Sequence, residues 1–398
     1  MEFEYVIKDN VLEDIRTRDA LQQPEWGDLL QVNRVRDALA SRPPLVQATD
    51  VATLRGYLAK VAAGQALIVQ AGDCAEDPQE CTASHVARKA ALLDLLAGAL
   101  RLVAHKPVIR VGRIAGQFAK PRSKPTEIVD GVELPSFRGH MVNGPEADAD
   151  SRWPDPLRIL TGYMAAGDIV EHLGWRERAA GRDVIEPVVW TSHEALLLDY
   201  EVPMLRTDDQ DRLYLGSTHF PWIGERTRQV EGAHVALLAE VSNPVACKVG
   251  PTMTPDELLA LCERLDPYRE PGRLTLIARM GADNVAERLP ALVEAVKAAG
   301  HPVIWLTDPM HGNTVSAPGG YKTRLVETVS LEVARFLEAV TRAGGVAGGL
   351  HLETTPHDVT ECVVDESGLS GVGERYTSYC DPRLNPWQAV SVVSSWKA

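Results

Sequence analysis

The stretch "PVIWLTDPMHGNT" (302–314) joins a continuous apolar run to a histidine on a Gly-Asn turn. Its apolar residues do not alternate with polar ones, so the run reads as a strand buried on both faces. A histidine just past such a strand is ordinarily a loop residue with no chemical task. It gains meaning only if other strands end in the same way. Seven more runs of this kind occur: "ALIVQAG" (66–72), "PVIRVGR" (107–113), "PVVWTSH" (187–193), "RLYLGSTH" (212–219), "VACKVG" (245–250), "LTLIARMG" (274–281) and "GVAGGLHLE" (345–353). Amphipathic segments lie between them, at 83–104, 254–267, 284–300 and 328–344. The last two close on Gly300 and Gly344, as helices with a glycine C-cap do, and Thr254 stands as an N-cap with Glu257 three residues on.

Eight buried strands with intervening helices predict an α/β protein, a (β/α)8 barrel, with a doubly wound open sheet as the competing fold. The two differ in where chemistry gathers. An open sheet collects it at one switch point, a barrel at the C-terminal ends of many strands. Here nearly every run ends in a reactive residue: Cys74, Arg110 with Arg113, His193 with Glu194, His219, Lys248, Arg279, Asp308 with His311, and His351 with Glu353. That favours the barrel, placed at residues 61–398. Residues 1–60 look helical, with a break at "SRPPL" (41–45), and are expected to form an N-terminal extension packed on it. The first ten residues, "MEFEYVIKDN", are a candidate edge strand. Residues 120–180 form a long loop and helix insertion after the second strand, with a helix near 155–175.

The chain has 398 residues, 45% of them hydrophobic, and a formal charge of −14. That charge speaks against wholesale nucleic-acid binding. No run approaches 18 apolar residues, so no membrane span is expected, and the charged N-terminus does not read as a signal peptide. Six cysteines (74, 81, 247, 262, 362, 380) are too scattered for a disulfide framework. A reduced, cytoplasmic protein is expected.

Sorted by type, the strand-end residues fall into two sets. Cys74, His311, Glu353 and, further on, Asp381 offer a thiolate, an imidazole and two carboxylates. That mixture suits a borderline divalent ion such as Mn, Co, Fe or Zn better than Mg or Ca. Taken singly, Cys74 reads equally as a core cysteine and Glu353 as a salt-bridge partner. The second set is cationic: Arg110, Arg113, Lys120, Arg122, Lys124, Arg226, Arg228, Lys248, Arg279, Lys322 and Arg324. Arginine pairs bidentately with phosphate and carboxylate oxygens. Lys124 and Arg324 are expected as solvated surface charges. Arg113, Lys248 and Arg279 belong to apolar runs and would be costly to bury unpaired. A metal beside phosphate-sized cationic pockets implies a small, highly anionic substrate pair.

The blocks "QAGDCAE", "RVGRIAGQFAKPRS", "STHFPWIGERTR", "NPVACKVGPTM", "IARMGADNV", "WLTDPMHGNT", "GGLHLETTPHDVTEC" and "YTSYCDPRLNPWQA" resemble the signature blocks of class II (plant-type) 3-deoxy-D-arabino-heptulosonate 7-phosphate (DAHP) synthases. The resemblance spans nearly the whole chain. It implies a metal-dependent, Mn- or Co-assisted condensation of phosphoenolpyruvate (PEP) with erythrose 4-phosphate (E4P), opening the shikimate pathway. By motif match it makes Cys74, His311, Glu353 and Asp381 the metal ligands. Arg113, Arg226, Lys248 and Arg279 match the PEP positions. Lys120, Arg122, Ser123 and Lys322 match the E4P positions, and Glu225 with Lys248 the pair that orients a water. Cys380, beside Asp381, raises an oxidative pairing with Cys74. The family forms dimers or tetramers, so a homo-oligomer is expected.

Two departures stand out. His140 and Met141 replace the usual Asp and Asn, and Ala71 replaces the usual Gly. The segment between Ser123 and Arg226 is short for the family, which predicts weak feedback inhibition by aromatic amino acids and a place in secondary metabolism, such as phenazine or ansamycin-type antibiotic synthesis. The alternatives are an aminoDAHP synthase using imino-E4P and an inactive scaffold barrel, for instance a partner of chorismate mutase.

Overall fold

The computed structural model describes residues 9–129 and 131–397. Residues 1–8 of the expected edge strand lie outside these, and Asp9–Thr17 is helical. Eight parallel strands form one sheet: β1 Leu67–Gly72, β2 Val108–Arg113, β3 Trp190–Ser192, β4 Trp222–Ile223, β5 Val245–Val249, β6 Leu274–Ala278, β7 Ile304–Thr307 and β8 Ala347–Glu353. Their spatial order runs β3-β2-β1-β8-β7-β6-β5-β4. The remaining seam, β3 to β4, is closed by the parallel bridge Glu194–Trp222. The Trp222 N–H donates to the His193 carbonyl (3.1 Å) and the Ala195 N–H to the Trp222 carbonyl (2.9 Å). Closure at this seam is what separates the barrel from an open doubly wound sheet.

Seven of the eight expected runs contain the barrel strands, and the fourth does not. Leu213–Leu215, inside the run 212–219, pairs antiparallel with Leu205–Thr207 in a hairpin. The true β4 has two residues, between Pro221 and Gly224, too short for any periodicity to mark it. The expected helices appear as Ala83–Ala104, Pro255–Leu265, Val285–Ala298 and Val326–Arg342. The Thr254 hydroxyl accepts from the Glu257 N–H (3.3 Å), and Gly300 and Gly344 end their helices at positive φ. The insertion holds a hairpin (Thr126–Val129 with Val132–Pro135) and the helix Leu157–His172.

The N-terminal helices Leu29–Ala40 and Ala48–Ala62 lie against this frame. Leu54, Leu58 and Val61 are buried in the same core as β1 and β8. The Trp26 indole N–H donates to Asp199 Oδ2 (2.6 Å). At the opposite end from the strand-end chemistry, Arg273 precedes β6 and is almost fully buried. It donates to the Leu265 (3.0 Å), Leu238 (2.7 Å) and Asn243 carbonyls, two of them at helix C-termini whose last carbonyls lack partners within the helix. Arg273→Met strands these acceptors. It is expected to lower the unfolding free energy by about 3 kcal/mol, read by urea denaturation, with substrate KM values unchanged.

Candidate active site

Three candidate ligands come from three distant parts of the chain. Cys74 follows β1, Glu353 ends β8, and Asp381 lies on the loop before the helix Pro386–Ser394. One ligand atom of each lies within 4.8 Å of the others, a possible metal site. His311, past β7, stands beside this group, with Nε2 3.6 Å from Glu353 Oε1. Its Nδ1 lies 2.8 Å from Asp308 Oδ2. The loops are held from behind by buried charges. Asp73 pairs with Lys89 (2.7 Å) and Arg383 (2.8 Å), and Arg383 pairs in turn with Glu361 (2.9 Å). The neighbours of Cys74 and Asp381 are thereby clipped together.

The Lys120 ammonium sits among the three ligands, 2.6 Å from Cys74 Sγ, 3.1 Å from Asp381 Oδ2 and 3.4 Å from Glu353 Oε1. The donors therefore already converge on positive charge. Burial alone would raise the pKa of Glu353, but Lys120, His311, Arg324 and Arg113 outweigh it and hold the carboxyl below its usual range. Asp381 is held well below by the same balance, with burial opposed by Lys120, Arg324, His311 and Lys322. Burial, contact with Cys380 and the nearby carboxylates push the Cys74 thiol upward. A divalent cation reverses that tendency, since it stabilises the thiolate. The donor set and its charge balance fit such an ion.

A cleft of about 850 Å³ opens above this group. It is lined by Arg113, Lys120, Arg122, Ser123, Glu225, Arg226, Lys248, Arg279, His311, Lys322, Glu353 and Asp381, that is, by every candidate site residue except Cys74, which is fully buried beneath it. Arg113 donates to Glu353 Oε1 (3.0 Å) and to the Asp73 carbonyl (3.0 Å), and lies over the Trp222 ring. Lys248 pairs with Asp308 Oδ2 (2.5 Å). Burial, with Arg113 and Arg279 nearby, pushes its pKa down to about 8 against the pull of Asp308. Arg226 reaches Ser123 Oγ (2.5 Å), Arg122 pairs with Glu127, and Lys322 reaches Asp381 Oδ1 (3.0 Å). Glu225 takes Arg228 on Oε1 (3.0 Å), while its Oε2 is buried without a hydrogen-bond partner.

Other strand-end residues face elsewhere. Arg110 pairs outward with Asp94 (2.6 Å). His219 is sealed inside against Thr191 (2.8 Å), its pKa pushed down to about 3 by burial. Lys124 is exposed as expected. Arg324 overturns the expectation of a surface charge. The hairpin Thr314–Ser316 with Lys322–Arg324 turns it inward, where it is 0% exposed and 2.9 Å from Glu353 Oε2. Asp308, which joins Lys248 to His311, was visible only as one more strand-end carboxylate. Its role depends on which neighbours share its end of the barrel.

A closed parallel barrel whose ligating and cationic side chains converge at the C-terminal ends of the strands is the architecture of a barrel enzyme acting on anions. The class-II DAHP synthetase family model matches residues 10–185 and 170–395. A probable phospho-2-dehydro-3-deoxyheptonate aldolase of Pseudomonas fluorescens is 60% identical over 390 residues, 98% of each chain. A phospho-2-dehydro-3-deoxyheptonate aldolase of Streptomyces coelicolor is 42% identical, covering 95% of this chain and 94% of its own. The solved structure of the Francisella tularensis phospho-2-dehydro-3-deoxyheptonate aldolase shares the fold, with a TM-score of 0.52 at 12% identity over 96% of this chain and 99% of the other. The chain belongs to the class-II DAHP synthetase family.

The charge balance around Glu353 has a measurable consequence. Glu353 and Asp381 have folded pKa values below their ordinary values of 4.5 and 3.8. Their ionised forms therefore favour folding above those values, and the contribution is lost as the pH falls below them. Arg324→Met removes one cation. It is expected to cost about 3 kcal/mol at neutral pH and to move the acid-unfolding midpoint, followed by circular dichroism, to higher pH.

Proposed function

We propose that this protein condenses PEP with E4P to give DAHP and inorganic phosphate. The observation that carries the reading is one cleft in which the cationic set meets the Cys74–Glu353–Asp381 group. In this reading Cys74, His311, Glu353 and Asp381 hold Mn or Co, which when bound polarises the E4P aldehyde oxygen. Arg113, Arg226, Lys248 and Arg279 grip the phosphate and carboxylate of PEP. Lys120, Arg122, Ser123 and Lys322 hold E4P. Two polyanions lie side by side only if cations offset their repulsion, and the same cations fix the approach of PEP C3 to the aldehyde carbon. As that bond forms, positive charge develops at PEP C2. Glu225, whose Oε2 has no hydrogen bond and lies 3.8 Å from Arg279 Nη1, orients with Lys248 the water that adds there. The resulting hemiketal phosphate expels phosphate by C–O cleavage.

The reading extends to three points outside the chemistry. Residues 1–60 serve as an extension of a single barrel domain. The working form is a cytoplasmic homodimer or homotetramer. The short insertion goes with weak inhibition by Phe, Tyr or Trp and a role in secondary metabolism.

The purified protein with Mn(II), PEP and E4P is expected to release phosphate as PEP disappears, and EDTA to abolish this. Turnover only with imino-E4P would move it to aminoDAHP synthesis, and turnover with neither would overturn the reading. Lys248 loses its proton as pH rises through about 8, so kcat/KM for PEP is expected to fall above that pH. In Lys248→Arg that alkaline fall disappears. Cys74 Sγ lies 3.7 Å from Asp381 Oδ2, on the residue that follows Cys380, so the two cysteines stand at the same group. Hydrogen peroxide is expected to join their thiols as a disulfide, with release of water, and to cause a loss of activity that dithiothreitol reverses. An unchanged thiol count after inactivation would remove that idea.

A further inference from the structure

One cleft carboxylate has neither a task in this chemistry nor a side-chain partner. Six carboxylates line the cleft: Glu127, Glu133, Glu194, Glu225, Glu353 and Asp381. Glu127 is paired with Arg122 and Arg152, Glu133 takes the Thr126 hydroxyl, and Glu225 takes Arg228. Glu353 and Asp381 share the cations already described. Glu194 alone has no side-chain donor among the described residues, and its enclosed Oε1 has no hydrogen-bond partner.

This carboxylate is built into place. Its residue forms the bridge that closes the barrel against Trp222. Its N–H donates to Gln117 Oε1 (2.9 Å) and its carbonyl accepts from the Leu196 N–H (2.7 Å). The residue after β4 makes room for it, because a Cβ at Gly224 would stand 2.0 Å from Glu194 Oε1. Burial raises its pKa, and Lys120, Lys248, Arg226 and Arg113 oppose this only through space. A carboxylate that lines a cleft without a donor is costly, and its Oε2, which is not enclosed, is the oxygen a ligand can reach.

The rest of the cleft is rich in N–H donors suited to phosphate and carboxylate oxygens. An aldose phosphate such as E4P also carries two hydroxyl groups, at C2 and C3, which need an acceptor. We propose that Glu194 accepts a hydrogen bond from one of these hydroxyls and selects a hydroxylated aldose phosphate over a deoxy one. This rests on the DAHP synthase reading of the cleft.

The test compares kcat/KM for E4P, 2-deoxyerythrose 4-phosphate and 3-deoxyerythrose 4-phosphate at saturating PEP. The unaltered enzyme is expected to disfavour at least one deoxy sugar by about 10–100-fold. Glu194→Ala is expected to lose about the same factor with E4P and to treat that deoxy sugar and E4P nearly alike. Glu194→Gln keeps the volume and one acceptor. It is expected to show a smaller loss of discrimination, and it carries the test should the alanine variant not fold. If the variants lose equal activity with all three sugars, or keep the discrimination intact, the assignment of Glu194 is overturned while DAHP synthesis stands. If the unaltered enzyme turns over none of the three, both fall.

Discussion

A carboxylate at the end of β8, shielded from water, sets the terms for everything around it. Glu353 is 0% exposed and lies within 4 Å of Arg113, Lys120, His311 and Arg324. An isolated charge cannot stay ionised in such a place. Glu353 does so because three cations and the His311 imidazole, from four different segments, reach it. Each of those segments also carries a wall of the cleft, so the balance of one buried charge fixes the relative positions of β2, the loop after it, the turn after β7 and the hairpin that follows.

The same economy runs outward. Asp308 joins Lys248 on β5 to His311 after β7. The chain Lys89–Asp73–Arg383–Glu361 ties the residue before Cys74 to the loop that bears Asp381. Breaking any one pair leaves its partner buried and alone, which costs far more than the pair itself contributes. The site is thus held together by mutual charge compensation among buried pairs. The opposite end of the barrel is arranged differently. There Arg273 closes helix ends and the apolar core continues, in keeping with a division of labour between a catalytic face and a stabilising face.

Much of this was legible along the chain. Continuous apolar runs marked seven of the eight strands, and reactive residues at their ends separated a barrel from an open sheet. Twelve of the thirteen candidate site residues line one cleft and the thirteenth, Cys74, lies just beneath it. The misses share one cause. β4 is two residues long and is held by neighbours and not by its own pattern. Arg324 looked like a loop cation until a hairpin folded it onto Glu353. Glu194 looked like any strand-end acid until the closing seam enclosed it without a donor.

The sequence by itself determined the alternation of strands and helices, the face on which chemistry gathers and the kinds of side chain gathered there. These follow from local periodicity and residue chemistry, which act within a few positions of the chain. Only the tertiary structure decided which charges are buried, which are paired and which are left open. Cys74 and Asp381 are separated by 307 positions and meet at 3.7 Å. Electrostatic cost depends on solvent access and on distance in space, and neither is written in the order of the residues until the barrel closes.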